Sequence, residues 1–240
     1  MTSAEISPGL VINVATPGLK LSDFKLIVFD MDSTLINIEC VDEIADAAGR
    51  KAEVAAITEA AMRGEITDYK DSLRQRVALL KGVSVASMDE VYRERLKLNP
   101  GAAELVHACK AAGLKTLLVS GGFTFFTDRI RDELGIDYTR SNELEIEDGK
   151  LTGKMVDQPW GDICDGEEKK RMLLKTCGEL NINPLQAIAM GDGSNDLPMM
   201  GAAGLSVAWH AKPAVRAQAM VAIDSGGLDR LLELLRQPPF

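Results

Sequence analysis

Leu26–Cys40 reads LIVFDMDSTLINIEC: four apolar residues, then aspartates at 30 and 32 around a single methionine, then a hydroxyl-rich turn. Lys25–Phe29 (KLIVF) is a short branched apolar run, the pattern of a strand buried on both faces. Asp30 stands where that strand ends. Two carboxylates this close repel each other, and burying either is costly unless something positive compensates. The pair is therefore a solvated turn or a site that holds a cation.

Three further runs resemble the first. Leu114–Val119 (LKTLLV) ends at SGG, Ala187–Met190 (AIAM) ends at GDGSND, and Leu205–Ala208 (LSVA) follows. Helical patterns lie between them: Ala102–Ala112, closed by Gly113, and Glu167–Leu180. Strands alternating with helices predict an α/β fold, a doubly wound and mainly parallel sheet with right-handed crossovers. Ligands of such sheets bind beyond the carboxyl ends of the strands. Asp30, Ser120 and Asp192 all fall at those ends.

Two segments break the alternation. Between Asn37 and Asn99 only helical patterns occur, at about Val41–Arg63, Thr67–Leu80 and Met88–Lys97. Ser87 and Glu90 form a capping pair for the last of these, and NPG from Asn99 stops it. The block is too long for a tight connection. It predicts a small helical cap, residues 37–98, inserted after the first strand of a core formed by 1–36 and 99–240. The second segment is ELEIEDGKLTGKM, where alternating residues flank Asp148–Gly149, a hairpin signal.

The chain has 240 residues, 46% hydrophobic and 26% charged, with a net charge of −9. That balance argues against a broad footprint for nucleic acid or an anionic membrane, though not against a local positive pocket. The N-terminal twenty residues lack the pattern of a signal peptide, and no apolar run approaches membrane-spanning length. Cys40, Cys109, Cys164 and Cys177 are scattered without zinc spacing, as expected of reduced structural thiols in a cytoplasmic protein.

A hard divalent cation resolves the crowded carboxylates. Mg²⁺ takes carboxylates, water and substrate phosphate, and Asp30 and Asp192 from neighbouring strand ends can both reach it. Asp32 can then present its backbone carbonyl to the metal and its side chain to a leaving group. DMDST or GDGSND alone reads equally well as a turn. The two together at strand ends, with a serine and a lysine between them, read as a site.

FDMDSTL (29–35), VSGG (119–122), Lys169 opening a helix and GDGSND (191–196) together resemble the haloacid dehalogenase superfamily of aspartate-nucleophile phosphatases. The resemblance runs from about Leu21 to the C-terminus. ECVDEIA (39–45), SLRQRV (72–77), SGGF (120–123) and HAKP (210–213) narrow it to members that release L-serine and phosphate from O-phospho-L-serine. It implies a Rossmann-like core with a small helical cap, Mg²⁺ dependence and a small-molecule substrate.

Chemistry and resemblance agree on the roles. Asp30 attacks phosphorus, and Asp32 serves as acid and then base. Asp30, Asp32 and Asp192 hold the metal. Ser120 and the Gly121 amide bind phosphoryl oxygens, and Lys169 supplies fixed positive charge. Asn195 donates to the substrate, and Asp196 orients Lys169 or a metal-bound water. By resemblance alone, Glu39 takes the substrate ammonium and Arg76 its carboxylate. Outside that match each would be a solvated charge on a helix face. Met62 and Tyr69 line the apolar part of the pocket or simply pack. His107, His210 and Lys212 are given no catalytic role.

Ser194 stands where the superfamily commonly has alanine, and Trp209 where it more usually has tyrosine; neither change carries chemical weight. The first motif begins about twenty residues into the chain, so no separate N-terminal regulatory domain is expected. Other readings are phosphotransfer to a second hydroxyl such as homoserine, a signalling receiver, and a degenerate binding scaffold. A receiver has no use for Asp32 or for the 37–98 block, and every motif position is chemically intact.

Overall fold

The structure, a computed structural model, describes residues 3–14, 18–62 and 68–235. An eight-stranded sheet runs through its centre. Its first three strands are β1 (Ala4–Ser7), β2 (Leu10–Ile12) and β3 (Leu26–Phe29). β4 (Lys115–Phe123) and β5 (Tyr138–Asn142) follow, and β6 (Leu144–Glu147) with β7 (Lys150–Met155) forms a separate hairpin. β8 (Ala187–Gly191), β9 (Leu205–Trp209) and β10 (Val221–Ile223) complete the sheet, in the order β1-β2-β10-β9-β8-β3-β4-β5. From β10 to β5 every pairing is parallel, while β1 and β2 add an antiparallel edge.

β3, β8 and β9 are buried along their whole length, which is why their sequences are apolar, apart from Ser206 in β9, rather than alternating. The two-residue period still sorts their side chains. Ile27, Phe29, Ile188 and Met190 enter the core on one face, and Leu26, Val28, Ala187 and Ala189 the core on the other. α5 (Ala102–Ala111) and α6 (Thr124–Leu134) cover the first face. α7 (Gly166–Glu179), α8 (Leu197–Ala202) and α9 (Pro213–Gln218) cover the second, and α10 (Leu231–Leu235) ends the described chain.

Residues 37–98 leave and return at one point. Ile36 pairs with Leu98, Asn37 N donates to Lys97 O, and Asn99 Nδ2 donates to both Thr34 O and Ile36 O. The segment carries α1 (Cys40–Ala47), α2 (Lys51–Met62), α3 (Tyr69–Ala78) and α4 (Val85–Glu90). The single helix expected over Val41–Arg63 is two, because Gly49 adopts φ 69°, a left-handed conformation that ends α1. α4 begins three residues before the expected Met88. Its cap is Ser84, whose Oγ accepts from Ser87 N at 3.1 Å, and not the Ser87–Glu90 pair. Arg63 and Thr67, the expected bounds of two helices, lie outside the described residues, as does the side chain of Met62.

The β6–β7 hairpin turns at Asp148 and Gly149, both with positive φ (49° and 72°), as a two-residue primed turn requires. It docks on the inserted helices through Gly82 N to Leu151 O and Leu151 N to Val83 O, both 2.8 Å. β1, β2 and β10 carry no clear sequence signal. They have four, three and three residues, too few to establish a period. Among the described residues no helix is long and apolar enough to cross a membrane.

Candidate active site

Strand register assembles the site. Phe29 pairs with Met190 on one side and Leu118 on the other. Asp30, whose N donates to Met190 O at 3.0 Å, is therefore level with Gly191 and Val119. One residue further along the flanking strands stand Asp192 and Ser120. The sheet grows in opposite directions from β3, towards β4 and towards β8, so this is the crevice where doubly wound sheets bind ligands.

After Asp30 the chain winds tightly through Met31–Leu35, with Asp32 extended and Ser33 left-handed at φ 56°. That turn swings the Asp32 carboxylate away from the other acids and towards the start of α1. There it accepts from Cys40 Sγ (3.1 Å) and Cys40 N (3.3 Å). Thr34 Oγ1 donates to Asp192 Oδ1 at 3.3 Å.

Lys169 lies in the first turn of α7, which Asp165 caps by accepting from Glu168 N at 2.9 Å. The lysine is fully buried. Its Nζ lies 2.5 Å from Asp30 Oδ1 and 2.7 Å from Asp196 Oδ1. Asp196 Oδ2 accepts from Gly193 N (3.0 Å) and Asp192 N (3.2 Å), so this carboxylate is committed to holding the lysine and the turn.

Carboxylate oxygens of Asp30, Asp192 and Asp196 all lie within 4.8 Å of one another. One ammonium faces three acids, and the titration behaviour follows. Burial, then Asp196 and Asp192, push the Asp30 carboxyl well above its usual range despite Lys169. Burial, then Asp196 and Glu39, raise Asp192 to about 6. Burial and Glu39 raise Asp32 to about 7, against the bonds from Cys40. Burial acts to lower Lys169, but Asp196 and Asp30 outweigh it and keep the ammonium charged. Uncompensated negative charge on hard oxygen donors, without histidine or cysteine in the cluster, fits a hard divalent cation. Asp30 and Asp192 each keep an oxygen that these bonds do not occupy; the side chain of Asp32 belongs elsewhere.

On the phosphoryl side, Ser120 Oγ accepts from Gly122 N at 2.8 Å. Gly121 O accepts from Asn142 Nδ2 at 2.8 Å, and Asn142 Oδ1 accepts from Cys164 N at 2.8 Å. A Cβ at Gly122 would stand 3.0 Å from Ser120 Oγ and 3.3 Å from Asp32 Oδ2, a tight contact that would make both groups give way by a few tenths of an ångström.

Glu39 is exposed and Arg76 half-buried. Glu39 stands at the N-cap position of α1 without a capping side-chain bond, accepts from Ser33 Oγ at 2.6 Å and acts electrostatically on Asp32 and Asp192. Arg76, on α3, lies within electrostatic reach of Asp42 and Tyr69. The Asn195 side chain packs against Gly193 and bonds to no member of the acidic cluster among the described residues. The Lys212 amide donates to Asp192 O at 3.2 Å, and its ammonium pulls Asp192 downward.

Sequence reasoning missed Thr34, Cys40 and Asn142. The first two lie within Leu26–Cys40, where a hydroxyl and a thiol close to two aspartates are candidate donors. Asn142, at the end of β5, has no local signal.

Comparison with known proteins bears on this geometry. The family model for haloacid dehalogenase-like hydrolases matches residues 27–201. The chain is 85% identical over 236 residues to the phosphoserine phosphatase of Polaromonas sp., covering 98% of this chain and 100% of that protein. It is 74% identical, with the same coverage, to that of Albidiferax ferrireducens. Among solved structures it resembles a phospho-aspartyl intermediate analogue of phosphoserine phosphatase, at TM-score 0.81 and 38% identity over 89% of this chain and 99% of that one. A substrate-bound phosphoserine phosphatase complex matches at TM-score 0.81 and 37% identity, again over 89% and 99%. The family match spans most of the chain, from β3 to α8 and through every element that brings an acid to the cluster, and the chain belongs to the haloacid dehalogenase-like hydrolases.

Proposed function

We propose that this protein is a Mg²⁺-dependent phosphatase that hydrolyses O-phospho-L-serine to L-serine and phosphate through a phosphorylated Asp30. The observation that carries the chemistry is Asp30 Oδ1 held 2.5 Å from a fully buried Lys169, beside Asp192. The substrate rests on the relatives matched over their whole length and on the charges of Glu39 and Arg76.

In the first step Lys169 fixes one Asp30 oxygen while the other attacks phosphorus. A P–O bond to Asp30 forms as the P–O bond to serine breaks. Asp32, protonated up to about pH 7, gives its proton to the departing serine oxygen. It then takes a proton from the water that attacks the aspartyl phosphate, which returns Asp30 as a carboxylate. Ser120 Oγ–H, the Gly121 amide and Lys169 hold the phosphoryl oxygens, with Asn195 as a further donor. Asp30, Asp192 and the Asp32 carbonyl would hold Mg²⁺, which would supply the positive charge that lets Asp30 ionise among the other acids. Glu39 takes the ammonium and Arg76 the carboxylate, a fork suited to two parallel bonds.

Residues 37–98, with the β6–β7 hairpin against them, serve as a cap that limits access of water to the first step. The buried, unpaired cysteines agree with a cytoplasmic setting. Phosphate release from a panel of phosphorylated amino acids, sugars and nucleotides, with and without EDTA, tests the assignment. Phosphoserine should lead, and only with metal. Equal rates across the panel would refute the substrate, and indifference to EDTA the chemistry.

A further inference from the structure

Tyr69 opens α3, and its ring is mostly buried. Its phenol oxygen does not point into an apolar wall. A Cβ built on Gly121 would fall 2.1 Å from Tyr69 Oη and 3.3 Å from Cζ, so the hydroxyl rests directly against the Gly121 α-carbon. It lies within electrostatic reach of Lys169, Arg76 and Asp30, the groups that surround the phosphoryl position. Among the described residues, no protein group accepts a hydrogen bond from it. Burial pushes the phenol above its ordinary range, so it remains a donor at working pH.

The Tyr69 oxygen is not one of the fully buried atoms left without a partner, so it stays open to an incoming acceptor while its ring packs. Phenylalanine would fill the same ring volume without offering a donor. The site that this donor adjoins, beside Gly121, is the one read above as holding a phosphoryl oxygen.

We propose that the Tyr69 hydroxyl donates a hydrogen bond to the transferring phosphoryl group, on the oxygen bound by the Gly121 amide, so that Tyr69 is a catalytic residue delivered by the inserted helices. This rests on the reading of Ser120, Gly121 and Lys169 as the phosphoryl site. It also accounts for glycine at 121, since a side chain there would displace the phenol oxygen. Because α3 belongs to the insertion, the donor is in place only when that segment sits over the strand ends. Binding of the phosphoryl group and closure of the site are thereby linked.

The test compares Tyr69→Phe with Ser120→Ala. kcat/KM is measured for O-phospho-L-serine and for p-nitrophenyl phosphate, together with inhibition by inorganic phosphate and the thermal midpoint. Loss of one hydrogen bond to a charged acceptor predicts a roughly 10- to 100-fold fall in kcat/KM for Tyr69→Phe. The fall should be similar for both substrates, because they share only the phosphoryl group. Phosphate inhibition should weaken, and the midpoint should not move. A loss confined to phosphoserine would place the hydroxyl on the amino-acid portion and overturn the proposal. So would a lowered midpoint that accounts for the loss. An active Tyr69→Phe beside an impaired Ser120→Ala would remove Tyr69 and leave the phosphoryl site standing. Two unaffected variants would remove the site itself.

Discussion

Replacing Lys169 by methionine tests the electrostatic core of the site. Methionine matches most of the buried stem and deletes the ammonium. In the wild type that ammonium is fully buried and faces carboxylates at 2.5 and 2.7 Å. Removing one partner of a buried ion pair costs about 3–5 kcal/mol, because the other charge is left uncompensated. Here two acids are left, but Asp30 already tends to hold a proton, so the cost should not exceed that range. For a chain of this size each kcal/mol moves the midpoint by about 2–4 °C, which gives a fall of roughly 6–20 °C.

The pH dependence has a definite sign. Lys169 has its pKa raised in the folded state, so its contribution is complete below the unfolded lysine value and is lost only as pH rises through the higher folded one. Between pH 5 and 9 it stays charged. The gap between wild type and variant should therefore not close as pH rises to 9. Mg²⁺ should stabilise the variant more than the wild type, since the cluster has lost its own cation. The rate should fall by about 10²–10³, the usual cost of deleting one preorganised group at developing charge. Circular dichroism melts with EDTA or Mg²⁺, paired with phosphate release, supply both readings. A midpoint within about 2 °C of wild type, or a rate within tenfold, would refute the reasoning.

Asp30→Asn should abolish turnover and leave the far-ultraviolet spectrum and melting cooperativity unchanged; measurable steady-state hydrolysis would exclude Asp30 as nucleophile. Arg76→Ala should raise KM for phosphoserine far more than for p-nitrophenyl phosphate, which has no carboxylate to lose; equal effects would remove its assigned role. In EDTA, Asp32 and Asp192, raised to about 7 and 6, bind protons in the folded state that the unfolded chain has released. The metal-free protein should therefore gain stability as pH falls from 7.5 to 5.5, and part of that gain should vanish in Asp192→Asn. An undiminished gain in that variant would place the titrating groups elsewhere. The first chemical step needs protonated Asp32, so single-turnover formation of serine should slow as pH rises above about 7. A flat profile would deny Asp32 the acid role.

Hydrophobic runs and turn residues are local signals, and they carried the α/β class, four strands of the parallel sheet, the Asp148–Gly149 hairpin and the positions of Asp30, Ser120 and Asp192 at strand ends. Each follows from burial period or turn chemistry within a few residues. Where the deciding contact is distant, the local pattern fell short. Ser87 and Glu90 have the spacing of a cap, yet Ser84 is the cap, because the chain there is already bound to the hairpin through Val85 N and Gly149 O. The β1–β2 edge exists because β10 offers it a partner, not because three or four residues can announce a strand.

Sequence by itself determined which residue types stand at which strand ends, since hydropathy and turn preference act over a few neighbours. Tertiary structure alone decided what they touch. Lys169 reaches Asp30 across 139 residues, Asn142 braces Gly121, the Asp32 carboxylate turns to Cys40, and the Tyr69 hydroxyl rests on Gly121. Contacts between chain-distant atoms are set by sheet register and helix packing, which depend on the whole core at once.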